Sequence, residues 1–115
     1  MDFSELSRNI TSSLSKSDKK KDGIFFTPKS TIERVLNSLE KYMSQINSIL
    51  EPSCGSCEFI LQMNEKYASK NFTGIEFNEQ IYNKIKFLNE SYDNIEIKRD
   101  DFLSYSNEIE YDLIV

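Results

Sequence analysis

The 115-residue sequence predicts an α/β fold in which a parallel sheet of about four strands carries flanking helices. Three observations carry that expectation. Short β-branched and aliphatic runs alternate with segments whose apolar residues recur at helical spacing. Strands alternating with helices of this length imply a parallel sheet with right-handed crossovers. Finally, three of the runs end in an acid, Glu51, Glu76 and Asp101. Open parallel sheets bind ligands at the carboxyl ends of their strands, so acids repeated there point to one shared site.

At this length the chain forms at most one domain, and its composition, 38% hydrophobic and 29% charged, is that of a soluble globular protein. No apolar run approaches the roughly 18 residues a membrane span needs, and the N-terminus lacks a charged-then-apolar signal pattern. A soluble, intracellular protein without membrane contact is therefore expected. The net charge of −5 does not announce a nucleic-acid surface. If DNA is a partner, the electropositive surface lies elsewhere, in regions absent from this chain or in a partner.

Residues 1–22 read as a short amphipathic helix followed by a polar linker. Phe3, Leu6, Ile10 and Leu14 share a helical face, and the Ser, Lys, Asp and Gly residues up to Gly23 read as solvated. Lys19, Lys20 and Lys21 within the linker are candidate phosphate contacts, although so short a charge run is ordinarily just solvated. Residues 23–115 form the second unit. Phe25 and Phe26 anchor a turn at its start, where Thr27 is placed to cap a helix and Pro28 to occupy its first position. That helix presents Ile32, Val35, Leu36, Leu39 and Met43 on one face.

Ile49-Leu50-Glu51 ends a first strand, and Pro52 to Cys57 makes a tight turn of small residues. A helix from about Cys57 to Ser69 then buries Phe59, Ile60, Met63 and Tyr67. Asn71 to Phe77 is a second strand, Asn78 caps the next helix with Ile81, Ile85 and Leu88 inward, and Ile95 and Ile97 alternate in a third strand. Tyr111 to Val115 is a fourth.

Three chemistries fall away on residue grounds. Cys54 and Cys57 are the only cysteines and there is no histidine, so four zinc ligands cannot be assembled from these types. A thioredoxin-like redox pair needs a proline facing it from a later strand, yet Pro28 and Pro52 both precede Cys54. A dinucleotide enzyme needs G-x-G-x-x-G in the first turn, where Gly55 stands alone. That turn suits a cofactor without a diphosphate.

Glu51-Pro52-Ser53-Cys54-Gly55-Ser56, followed by Glu58-Phe59, resembles the S-adenosylmethionine-binding motif of the amino-group DNA methyltransferases, with Cys57 where the family has Gly. Lys20-x-x-Gly23-x-Phe25-Phe26-Thr27-Pro28, some 25 residues upstream, is similar to the N-terminal motif of the members that place it first. The resemblance covers nearly all of residues 19–115. It implies a Rossmann-like class I methyltransferase half-domain, with four strands forming one contiguous half of a sheet ordered 3-2-1-4-5-7-6. It also implies S-adenosyl-L-methionine as cofactor. Phe26, Thr27 and Pro28 would fold over its methionine end, Ser53 and Gly55 would let the backbone approach, and Glu51 would face the amino group. Glu76 would take the ribose hydroxyls, and Asp101 and Phe102 would meet the adenine. Where the family has Gly before that Asp, this chain has Asp100.

In the family a fourth strand like Tyr111-Asp112-Leu113-Ile114-Val115 leads into Asn/Asp-Pro-Pro-Tyr/Phe, the catalytic tetrapeptide, which these 115 residues do not contain. No catalytic residue is therefore assigned. The expected activity is that of an adenine-N6 DNA methyltransferase represented by its cofactor-binding part, inactive alone, acting on DNA through regions absent from the chain. Cytosine-N4 methylation, a protein or RNA N-methyltransferase fragment, and a non-catalytic remnant stay open as alternatives. Self-association through an exposed fourth strand is expected as well.

Overall fold

A computed structural model describes residues 3–14, 26–105 and 110–115. Lys19–Lys21, the polar linker and Phe25 lie outside the described residues. The elements run α1 (Glu5–Ser13), α2 (Lys29–Leu39), a 3₁₀ helix (Glu40–Gln45), β1 (Ser48–Glu51), α3 (Glu58–Lys66), β2 (Asn71–Glu76), α4 (Glu79–Ile85), α5 (Leu88–Ser91), β3 (Ile95–Arg99) and β4 (Leu113–Ile114). The sheet is parallel throughout, in the order β3-β2-β1-β4. This is the contiguous half-sheet implied by the resemblance.

Strand register sorts the core into faces. Ile49, Phe72 and Ile95 stand side by side, as do Gly74 and Ile97. Neighbours in parallel register share a face, and these residues meet Ile60, Met63, Ile81 and Ile85 of the helices in one buried cluster. Ile10 of α1 and Leu14, its C-cap, belong to the same cluster, so the N-terminal helix packs into the core of the sheet domain. Leu50 and Ile75, also buried, occupy the opposite face.

Gly74 marks the tightest approach of helix to sheet. A Cβ there would stand 2.9 Å from Ile60 Cδ1 and 3.0 Å from Cys54 Cβ and Sγ. Gly74→Ala is expected to destabilise the fold by about 1–3 kcal/mol through overpacking, read as a lower denaturation midpoint with an unchanged slope.

The edges are held by side chains. Asp112 accepts from the Asn47 and Ser48 N–H groups at 2.8 and 3.2 Å, fixing the start of β4 to the start of β1. Those bonds hold its carboxyl below the usual range. At the other edge Asn89 both donates to the Ile97 carbonyl (3.2 Å) and accepts from its N–H (2.6 Å), occupying groups that an added strand would use. Ile114 on β4 is 58% exposed.

Several boundaries differ from the sequence expectation: β2 stops at Glu76 rather than Phe77, β3 at Arg99 rather than Asp101, and β4 covers Leu113–Ile114 rather than all of 111–115. Pro28, not Thr27, is the N-cap of α2, and it has no capping side chain; its carbonyl accepts from Thr31 and Ile32 instead. The helix expected over 57–69 is shorter, Glu58–Lys66, because Cys57 adopts a left-handed conformation that a helix cannot include and Tyr67 leaves helical geometry. The segment after Asn78 is two helices rather than one, α4 and α5; nothing in the structure explains the break. No helix among the described residues is long and apolar enough to cross a membrane.

Candidate functional site

β1 delivers Glu51 to the carboxyl edge, and the turn 52–57 carries the chain into α3. Cys54 N–H donates to the Ile75 carbonyl at 2.9 Å, so the sheet ladder continues one step past Glu51. Gly55, at φ +53°, then donates its N–H to Glu76 Oε1 at 2.8 Å, and the Asn78 N–H donates to Glu76 Oε2 at 2.9 Å. Glu76 therefore ties the turn after β1 to the turn after β2. A Cβ on Gly55 would sit 3.0 Å from two ring carbons of Phe26. Glycine is needed here both for the positive φ and for the ring that lies on the backbone.

Phe26, Thr27, Glu51, Ser53 and Gly55, with Ser56 and Glu58, line a small cavity of ≈ 30 Å³. The larger hollow of ≈ 450 Å³ lies between α2 and α3, among Lys29, Glu33, Gln62 and Lys66, and contains no strand-end residue. Glu51 and the turn after β1 line the smaller one. Inside it, Glu51 Oε2 is buried with no hydrogen-bond partner among the described residues. Desolvation, and then the charge of Glu76, push the Glu51 carboxyl up to about 8. A buried acid held in this way favours a cationic hydrogen-bond donor beside it.

Cys57 explains the family's glycine at its position. It is the only described non-glycine residue with positive φ (61°), and its side chain is fully buried in the core rather than lining the cavity. The strain of a left-handed non-glycine residue, about 1–2 kcal/mol, and the burial of one small apolar side chain, about 1 kcal/mol, nearly offset each other. Cys57→Gly is thus expected to change stability by less than about 1 kcal/mol, whereas Cys57→Val should cost about 3 kcal/mol, since a β-branched residue tolerates this φ poorly. Urea denaturation of the two variants checks both. Cys54 and Cys57 are free thiols, and a hydrogen bond with Cys57, then burial, pushes the Cys54 thiol up.

The strand ends beyond Glu76 are more open. Asp100 N–H donates to the Glu76 carbonyl at 3.2 Å, which brings the turn after β3 against the end of β2. Asp101 lies two residues beyond β3, and its Oδ1 accepts from Leu103 N–H at 3.0 Å, so it also shapes its own turn. Phe102 is 40% exposed and Phe77, directly after Glu76, is 61% exposed. The structure thus brings Glu51, Gly55 and Glu76 into direct relation, seats Phe26, Thr27 and Ser53 around the cavity, and sets Asp101 and Phe102 at the adjoining strand end. Pro28 serves as the α2 cap.

Sequence reasoning missed Phe77, Ser56, Glu58 and Ser7. An exposed aromatic directly after a strand-end acid could have flagged Phe77. Glu58 begins α3, buried, and accepts from Ser7 Oγ of α1 (3.2 Å) and from the Gln62 side-chain amide (3.3 Å).

The parallel order β3-β2-β1-β4, with acids ending β1 and β2 and a glycine turn after β1, is a Rossmann-like half-sheet, the fold that solved class I methyltransferases share. Coclaurine N-methyltransferase, solved with N-methylheliamine and SAH, shares that fold with a TM-score of 0.59 and 22% identity, over 77% of this chain and 27% of that one. The chain belongs to the N-6 DNA Methylase family, whose model matches residues 2–113. It is 31% identical to modification methylase CviBIII of Paramecium bursaria Chlorella virus NC1A over 98% of its own length and 30% of that protein. It is 29% identical to the type II methyltransferase M.CvrRI of Paramecium bursaria Chlorella virus XZ-6E, over 98% of this chain and 28% of that one. The chain therefore spans about three tenths of the curated relatives it matches.

Proposed function

We propose that these residues form the S-adenosylmethionine-binding part of a DNA methyltransferase acting on the adenine N6 amino group. The observation that carries this is Glu51, a buried carboxylate oxygen without a partner among the described residues, beside a glycine turn that Glu76 ties to the next strand. The residues fit the cofactor's groups. Glu51 would face the methionine ammonium. The Gly55 backbone, which has no Cβ, would admit the methionine chain once the Phe26 ring moves off it. Glu76 would exchange its bonds from Gly55 and Asn78 for ribose hydroxyls, and Asp101 would accept from the adenine amino group with Phe77 and Phe102 against the ring. Bound, the cofactor supplies a methyl group on sulfonium.

The family match supports DNA as the substrate class, and the names of the two viral relatives point the same way. The only prolines are Pro28 and Pro52, so no Asn-Pro-Pro-Tyr lies within the 115 residues. Cofactor binding without methyl transfer is the expected behaviour of this chain alone. Incubation with radiolabelled cofactor and unmethylated DNA tests it: clear incorporation would overturn the reading of these residues as the cofactor part only. The exposed Ile114 edge supports self-association, which sedimentation across a concentration series would show as a rising mean mass.

A further inference from the structure

We infer that helix α1, through Ser7, positions the cofactor turn, so that cofactor affinity depends on a hydroxyl 49 residues away from that turn in sequence; this rests on the cofactor-binding reading above. Ser7 is 1% exposed, and its hydroxyl lies 2.6 Å from Ser56 Oγ, itself 1% exposed. Ser4 Oγ donates to Ser7 Oγ at 3.0 Å, and Ser7 Oγ donates to Glu58 Oε2 at 3.2 Å. A hydroxyl has one proton and two lone pairs. With its proton on Glu58 and one lone pair taken by Ser4, Ser7 can only accept from Ser56. Every capacity of the Ser7 hydroxyl is then used, and the proton relay ends on a buried carboxylate.

The two residues held in this way, Ser56 and Glu58, stand on either side of Cys57, the left-handed residue that closes the turn. Both also line the cavity with Glu51 and Gly55. A left-handed non-glycine residue persists only where its surroundings over-determine it. The clamp from α1 supplies that constraint on both flanks, and Ile10 and Leu14 seat the helix that carries it. Removing the hydroxyl frees Ser56 and leaves Glu58 one donor short, and the turn can relax away from the geometry that presents Gly55. Ser7 touches no cavity surface of its own, so it is a positioning residue.

Calorimetric titration of the 115-residue chain with S-adenosylmethionine, well below the thermal midpoint, tests the inference. Ser7→Ala is expected to weaken binding about tenfold, the loss of one buried charge-assisted hydrogen bond. Ile10→Val, which loosens the same helix without touching the hydroxyls, is expected to lower the midpoint and leave the affinity within about twofold. A Ser7→Ala chain that is less stable but binds as tightly as wild type overturns the inference, as does an Ile10→Val chain that loses as much affinity as Ser7→Ala. Should Ser7→Ala not fold, Ser4→Ala removes the donor to Ser7 Oγ together with the N-cap of α1, while Ser4→Gly removes the same donor and costs less as a cap; about a threefold loss is expected for both, and an unchanged affinity overturns the inference. Absence of binding by the wild-type chain would instead sink the cofactor reading itself.

Discussion

Glu76→Ala is expected to abolish measurable binding of S-adenosylmethionine and to destabilise the fold by about 3–6 kcal/mol, the range for losing two charge-assisted bonds to backbone N–H groups. Both effects come from one carboxylate. Its oxygens accept from Gly55 at 2.8 Å and from Asn78 at 2.9 Å, so its loss releases the turns after β1 and β2 together. The affected N–H groups sit at the edge of the core, where an unmet donor costs more than a neutral hydrogen bond gains. Glu76→Gln keeps one acceptor oxygen and should recover part of the stability while binding remains at least about tenfold weaker, since the neutral amide accepts poorly from two hydroxyls at once. Calorimetry and thermal denaturation on the same samples separate the two losses.

A second large effect lies in pH. Burial and the neighbouring charge of Glu76 push the Glu51 carboxyl up from 4.5 to about 8 in the folded chain. Between those values the unfolded chain has lost a proton that the folded chain keeps. Fold stability should therefore fall as pH rises through that window, by up to roughly 1.4 kcal/mol per pH unit. An ammonium placed beside Glu51 favours the ionised form, so cofactor binding expels the proton. Affinity should consequently rise between about pH 6 and 7.5, by up to about tenfold per unit. Glu51→Gln removes both slopes, becomes the more stable chain near pH 8, and binds weakly at every pH. Heats of binding in buffers of different ionisation enthalpy count the proton directly.

Much of this architecture was legible because its signals are local. Ile49 to Glu51 is a short apolar run stopped by Pro52, and Phe59, Ile60 and Met63 recur at helical spacing directly after a turn of small residues. The order of the strands came from the family resemblance, since periodicity fixes elements and not neighbours. The αL position at Cys57 was implicit in the same resemblance: a site where relatives carry glycine is one where φ turns positive. What sequence did not disclose is long-range. Ser7, Ser56 and Glu58 meet only because α1 folds back on the motif turn, and a serine-rich helix by itself reads as a weak surface element. The cap of α2 shifted by one residue for a related reason, because Thr27 faces the cavity instead of the helix. Asp101, placed by its motif at the end of a strand, stands two residues beyond β3.

The most direct test of a cofactor site at the carboxyl ends of these strands is an amide-resolved NMR titration of the chain with S-adenosylhomocysteine, which presents the same amine, ribose and adenine. The backbone amides of Gly55, Cys57, Asn78 and Asp101 are expected to shift together and saturably, while those of Asn47 and Asn71, at the opposite end of β1 and β2, hold still. Shifts confined to Leu36, Asn37, Gln62 and Lys66 in the groove between α2 and α3, or none at millimolar ligand, would contradict the account.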